Sequence, residues 1–394
     1  MDKIILPYGA ELIIERLHKH GYRADVVGGA VRDAYLGRAI PDYDITTNAR
    51  PEQVKEIFSD MHTIDTGIKH GTITVRIDGE GYEVTTYRLD GEYKDARHPE
   101  SVQFTDELAL DLSRRDFTMN AMCYNHEDGI TDLFGGISDI ECKTVRTVGQ
   151  ARERFSEDAL RILRALRFAS VLDFEIEEGT RAAIFEKAHL LSEISAERIW
   201  VELKKLISGA GAHRILSEYR EIFESILSLS LEKMPKKQSF DLGNGSARIL
   251  SLFYMGSDKP SDSFENAMLA LHTDNKTRKD GTAALRVLKE CSMVTERGVL
   301  LALMKFGKAA VELAIDTGII TGIYSVTVKE NLTLALKSGV PYTLSGLEVG
   351  GRELMNAGLK GEKIGEVLTA LLIAVIEGRC ENTKEALLQM VANI

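Results

Sequence analysis

The sequence predicts an α+β protein, a mixed α/β head of about 140 residues followed by an all-α remainder. Two observations carry this expectation. Short β-type runs (Asp25-Val26-Val27, Thr72 to Ile77, Tyr82 to Tyr87) are confined to the first part of the chain, where glycine pairs punctuate them. From about Arg152 onward apolar residues recur at helical spacing, as in Leu160, Leu163, Leu166 and Phe168, then Ile199, Leu203, Leu206 and Ile207. At 394 residues the chain is also longer than one hydrophobic core usually serves, so several domains are expected.

The expected borders are 1–140, 141–208, 209–310 and 311–394. Within the helical part, the polar stretches Glu232 to Gly245 and Gly256 to Ser263 read as loops, and Val340-Pro341 precedes a last helical unit. No internal repeat suggests a solenoid. No run approaches the ~18 apolar residues of a membrane span, and the start is too short an apolar run for a signal peptide, so a cytoplasmic, membrane-free protein is expected. Four scattered cysteines (Cys123, Cys142, Cys291, Cys380), without CxxC spacing, indicate buried thiols rather than a disulfide framework or structural zinc. The net charge of −11 repels nucleic acid as a global field, so any nucleic-acid role must rest on local patches. Arg152, Arg154, Arg161, Arg164 and Arg167, set against Glu153, Glu157 and Asp158, form either one such patch or a solvated helix face laced with i,i+4 ion pairs.

The first chemical element is Val26-Val27-Gly28-Gly29-Ala30-Val31-Arg32-Asp33, a glycine pair between a short strand and a helix. Gly29 and its neighbour let a backbone approach a phosphate, the helix start offers N–H groups, and Arg32 supplies a charged fork. It is neither GxGxxG nor a phosphate loop of the GxxxxGK[ST] kind. Ten residues on, Asp42 and Asp44 stand two positions apart, which on a strand puts both carboxylates on one face. Like charges so placed repel unless a cation lies between them. Mg²⁺ held through one or two carboxylates and substrate phosphates is the usual occupant, as phosphoryl transfer requires. Glu83, on a later β-type run, is either a third ligand or a plain edge-strand acid.

These residues carry a resemblance. Gly28 to Asp33 followed by Asp42-Tyr43-Asp44 resembles the first motif of the class II (bacterial-type) tRNA nucleotidyltransferase and poly(A) polymerase family, in the polymerase-β superfamily. Asp111 to Ala121 is similar to the family's RRDFTxNA element, and Asp132 to Asp139 to its DxxGGxxD turn. Arg154 to Ala169 resembles its EDxLRxLRAxRF helix, and Ile194 to Leu203 the helix closing its neck. A weaker similarity to the tRNA-gripping tail runs from Leu344 to Asn382.

The resemblance implies a polymerase-β-like nucleotidyltransferase head, then neck, body and tail. It implies addition of CCA, or of its terminal A, to the tRNA 3′ end from CTP and ATP. Asp158 and Arg161 would read the base, and Arg115, Asp116 and Asn120 would sense the ribose, with Arg164 and Arg167 also counted as nucleotide-binding. The chemistry is apt: at i,i+3 on one helical face a carboxylate accepts from an exocyclic amine beside a fork of donors. The plainer readings are an Asp158–Arg161 surface ion pair worth about 0.3–0.5 kcal/mol, an N-cap at Asp116 and a turn at Asn120. The polar stretch Tyr87 to Pro99 is expected to be a mobile loop, which CC-only members lack. The alternatives are A-only addition, a bacterial poly(A) polymerase, or a non-catalytic RNA-binding relative.

Overall fold

A computed structural model describes residues 4–90 and 102–392. They form two compact units that divide at residue 215. The first holds a seven-stranded mixed sheet of β1 (Ala24–Val27), β2 (Asp44–Thr47), β3 (His62–Ile64), β4 (Thr72–Ile77), β5 (Glu80–Thr86), β8 (Met122–Asn125) and β9 (Gly129–Asp132). Their order is β3-β4-β5-β2-β1-β8-β9. In β4 and β5 the buried residues alternate, Ile73, Val75 and Ile77 on one, Tyr82, Val84 and Thr86 on the other, the period-two pattern of strands with one face inward. β1 is buried throughout, as suits a strand inside the sheet. β6 (Arg88–Asp90) and β7 (Val102–Phe104) form a separate ribbon. Most of the expected loop, from residue 91 onward, lies outside the described residues.

Register places the chemistry. Val27 pairs with Asp44, and Ile45 with Val84, so Gly28 follows the end of β1 beside Asp44 at the start of β2, level with Glu83 in the middle of β5. β5 lies between β4 and β2, so Glu83 is not on an edge strand as one reading of the sequence had it. Asp42 precedes β2 rather than belonging to it, so the strand argument covers Asp44 alone.

The helices α1 (Tyr8–Lys19), α2 (Gly29–Tyr35) and α3 (Pro51–Ile57) pack on the sheet, and α4 (Leu108–Ser113) follows the ribbon. A 3₁₀ turn, Thr118–Asn120, is pressed against α5 (Gly136–Glu141). Asp132 caps α5 by accepting from the backbone of Gly136 and Ile137, each at 2.9 Å, while Asp139 accepts from Thr118 Oγ1 at 2.6 Å. A Cβ on Gly136 would stand 2.4 Å from the Thr118 carbonyl oxygen. Gly136→Ala is therefore expected to destabilise the fold by about 1–3 kcal/mol, through overpacking against backbone that cannot swing away. Thermal denaturation checks this, and an unchanged melting temperature would contradict it.

The expected continuous helix through Arg154 to Ala169 is two helices, α6 (Ala151–Glu157) and α7 (Leu160–Leu172). Between them Asp158 is extended (φ −142°, ψ 103°), and its Oδ1 accepts from the Leu160 backbone at 3.0 Å. Asp158 and Arg161 are thus not side by side on one helical face. An aspartate just ahead of an apolar periodic run competes for the backbone and starts a new helix. α8 (Glu178–Lys187) and α9 (Ala196–Ile207) complete this unit, α9 packing on α7. The region is not purely helical, because β10 (Thr144–Val145) pairs with β11 (Glu175–Ile176).

The division between the units falls within α10 (Ala212–Glu218). The second unit is helical: α11 (Arg220–Leu227), α12 (Lys237–Asp241), α13 (Gly245–Gly256), α14 (Pro260–Ala270), α15 (Asn275–Glu290) and α16 (Glu296–Phe306). Then come α17 (Lys308–Thr321), α18 (Val328–Lys337), α19 (Gly351–Asn356), α20 (Lys363–Ile376) and α21 (Lys384–Val391). Both stretches read as loops contain helix: α12 lies in the first, and Pro260 opens α14 at the position where its missing N–H costs nothing. The 310/311 border falls inside α17, which packs against α13 and α15. The unit after Pro341 closes on a core of Val349, Leu354, Leu371, Val375 and Leu387, and Asn382 ties its ends by bonding the Glu348 N–H and the Gly346 carbonyl. Of the cysteines, only Cys123 is buried, Cys142 is exposed and the other two are half-buried. No helix among the described residues is long and apolar enough to cross a membrane.

Candidate active site

Where β1 ends and β2 begins, a cavity of about 290 Å³ opens. Gly28 and Gly29 form one wall. Gly28 has φ +78° and ψ −130°, a conformation open to glycine, and a Cβ there would meet Arg115 Nη1 at 3.2 Å. Five guanidiniums line the cavity, from Arg32, Arg114, Arg115, Arg161 and Arg164, against three carboxylates, Asp44, Asp116 and Asp158, and the amide of Asn120. This excess of positive charge suits a polyanion and gives an acidic chain the local patch it needs.

Each wall is braced from behind. Arg32 donates through Nε and Nη2 to Asp33 (3.0 and 2.8 Å) and through Nη1 to Asn120 Oδ1 (2.6 Å), so it holds the wall rather than offering an open fork. Asp116 accepts from Asn120 Nδ2 at 3.1 Å and Arg164 Nε at 2.8 Å. Burial alone would raise its carboxyl, but Arg164 and the Asn120 amide hold it down at about 2, so this pair stays ionised across the neutral range. Asp116 does not cap the 3₁₀ turn, whose cap position is Phe117.

The base-reading candidates have separate partners. Arg161 Nη1 donates to Glu157, four residues before it, at 2.6 Å, and its Nη2 reaches the Arg114 carbonyl at 3.3 Å. Asp158 Oδ2 accepts from Arg198 of α9 at 3.0 Å. Arg114 and Arg198 were not among the residues singled out, although Arg114 stands beside Arg115 and Arg198 lies in the Ile194–Leu203 motif. Arg167 does not line the cavity: it pairs with Glu202 and its guanidinium lies 3.7 Å from the Phe168 ring centre. Arg32 and Arg164 also lie over that ring, at 5.0 and 5.6 Å, so one aromatic collects three cations.

Asp44 is accessible from the cavity. The surrounding walls strip water from its carboxyl and the charge of Asp42 opposes ionisation, so it is pushed up despite the pull of Arg115. Glu83 is pushed up by burial and then by Asp44 and Asp42. The charge of Asp42 thus opposes ionisation of both Asp44 and Glu83, although Asp42 and Glu83 are not part of the cavity lining. Among the described residues no group of three or more His, Cys, Asp or Glu is arranged to enclose a metal alone.

Comparison with known proteins bears on this geometry. A family model described as the poly A polymerase head domain matches residues 24–146, and one described as a probable RNA and SrmB-binding site of polymerase A matches 173–222. A third, described as a putative tRNA nucleotidyltransferase domain 2, matches 246–391. The chain is 46% identical to the CCA-adding enzyme of Lactococcus lactis over 240 residues, 59% of each chain. It is 35% identical to the CCA-adding enzyme of Lactobacillus delbrueckii over 387 residues, 96% of each chain. The crystal structure of the Bacillus stearothermophilus CCA-adding enzyme in complex with CTP superposes with a TM-score of 0.78 at 33% identity, covering 99% of this chain and 98% of that one. Similarity of this extent, running through head and helical parts alike, means that the chain belongs to the bacterial-type tRNA nucleotidyltransferases, the family of CCA-adding enzymes.

Proposed function

We propose that this protein adds CCA to the 3′ end of tRNA, using CTP and ATP and no nucleic-acid template. The observation that carries the reading is one cavity holding both halves of the chemistry: arginines for a triphosphate beside Asp44, and the Asp158/Arg161 pair for a base edge. The relatives, named as CCA-adding enzymes, favour this over A-only addition, poly(A) synthesis or RNA binding without catalysis. We place the enzyme in the cytoplasm, with 1–140 as catalytic head, 141–208 as base-reading neck, and body and tRNA-binding tail in the helices that follow, α17 belonging with the body helices α13 and α15.

In this reading Gly29 lets the backbone approach the nucleotide, and Arg115, Asp116 and Asn120 meet the ribose. Asp158 and Arg161 offer acceptor and donors to the base, while Arg164 holds Asp116 in place. Arg32 and Arg167 act from behind, through Asn120 and Glu202. The oxygen donors of Asp42 and Asp44 fit Mg²⁺, which completes its shell with substrate oxygens and water. Asp42 and Asp44 would hold it, and Glu83 joins them in no three-carboxylate group placed to hold a metal. When bound, Mg²⁺ would activate the RNA 3′-hydroxyl and stabilise the departing pyrophosphate.

Product length tests the proposal. With tRNA transcripts ending before C, after C or after CC, supplied with CTP and ATP, each is expected to stop at CCA. Extension only of the CC-ended transcript would mean A-only addition, and unlimited A tails a poly(A) polymerase.

A further inference from the structure

Asp111 is a fully buried carboxylate on α4 that no step above uses. Its Oδ1 accepts from Arg114 Nε and Nη2, at 2.9 and 2.8 Å, and from the backbone N–H of Arg88, the first residue of β6, at 3.3 Å. Its Oδ2 accepts from Thr46 Oγ1 of β2 at 3.0 Å and from Arg115 Nη2 at 3.4 Å. Burial works against the charge, but Arg115 and Arg114 hold the carboxyl below the ordinary range, so it is an anion in the interior. A buried anion is retained only where its partners offset the loss of hydration, and here two of those partners are cavity arginines.

Arg115 is held by Asp111 and lines the cavity together with Asp44. Arg115 Nε is buried without a hydrogen-bond partner, so contacts through its Nη atoms decide where the guanidinium sits. We propose that Asp111 is a positioning residue of the nucleotidyl transfer: it holds Arg114 and Arg115 in the cavity wall, at the geometry that binds the nucleotide. This rests on the reading that the two arginines contact the nucleotide. A purely structural alternative is that Asp111 only ties β2, β6 and α4 together through Thr46 and Arg88.

Equilibrium CTP binding without tRNA, steady-state KM and kcat, and thermal melting separate the two. Asp111→Asn keeps the shape and removes the charge. It is expected to raise the Kd and KM for CTP about tenfold, the lower end of what losing a ligand's outer partner costs, with kcat at saturating CTP within about threefold of the parent. Thr46→Val removes one buried bond to Asp111 without touching an arginine, and is expected to lower the melting temperature while leaving the CTP Kd unchanged. Arg115→Lys is expected to weaken CTP binding by itself, and adding Asp111→Asn to it should cost less than it costs the parent, because the two share the Arg115 contact and only the Arg114 contacts remain to be lost. A CTP Kd for Asp111→Asn within twofold of the parent, with Arg115→Lys impaired, overturns the positioning role. So does a Thr46→Val Kd raised as much as that of Asp111→Asn. If Arg114→Lys and Arg115→Lys both leave CTP affinity unchanged, the nucleotide-contact reading fails first, and the positioning role falls with it for that separate reason.

Discussion

Asp44→Ala is expected to lower nucleotide incorporation by about a thousandfold or more for CTP and ATP alike, since the metal anchor proposed for this carboxylate would be lost, removing ~4 kcal/mol of stabilisation from the transition state. The fold should not suffer. Asp44 is one source of the repulsion that pushes Glu83 up, so removing it relieves crowding, and the melting temperature is expected to stay level or rise. Asp42→Ala should behave alike, because it contributes to the same crowding. Incorporation of labelled CTP, tRNA gel shift and thermal melting together make the test. Full incorporation by both single variants would falsify the metal-anchoring role.

The second large effect concerns choice of nucleotide rather than rate. Arg161→Ala removes a fork of donors from the cavity, and such a fork discriminates among bases by about 1–3 kcal/mol. Misincorporation of UTP or GTP is therefore expected to rise roughly ten- to a hundredfold. Glu157→Gln should give a milder version, because the 2.6 Å contact from Glu157 holds the guanidinium in place. Competition assays with all four nucleotides read this directly. A variant that melts lower yet keeps its preference for CTP and ATP would return Arg161 to the role of an ordinary ion pair. Asp44→Ala, by contrast, should slow every nucleotide equally, so the two variants separate reading from reaction.

Much of the head is readable from local pattern. The runs that become β4 and β5 announce themselves by alternation, and the glycine pair marks the turn from β1 into α2. The residues gathered around the cavity are largely those the motifs pick out. What local pattern misses is of one physical kind, the pairing of distant groups. Nothing in the neighbourhood of Glu83 states that β5 is sandwiched between β4 and β2, because strand order is fixed by long-range register. Asp158 looks like part of a helical face until its carboxylate is seen bound to Leu160 behind it and Arg198 across from it. The forks of Arg32 and Arg167 look open in sequence and are engaged in the fold, by Asp33 and Asn120 in one case and Glu202 in the other.

The bracing of the cavity has a consequence for how the protein is made. Arg32 meets Asn120 across 88 positions, Asp116 meets Arg164 across 48, and Arg161 reaches the Arg114 carbonyl across 47. Chains emerge from the ribosome amino end first, and contacts of long sequence separation close late because a long loop must be ordered before they form. A nascent chain extended through β9 already has every strand of the seven-stranded sheet, but α7 has not yet arrived to close the cavity. The sheet therefore precedes the cavity in time. Until α7 docks, Asp116 lacks its arginine partner and the cavity lacks the wall that Arg161 and Arg164 supply, so the cavity is completed in one late step.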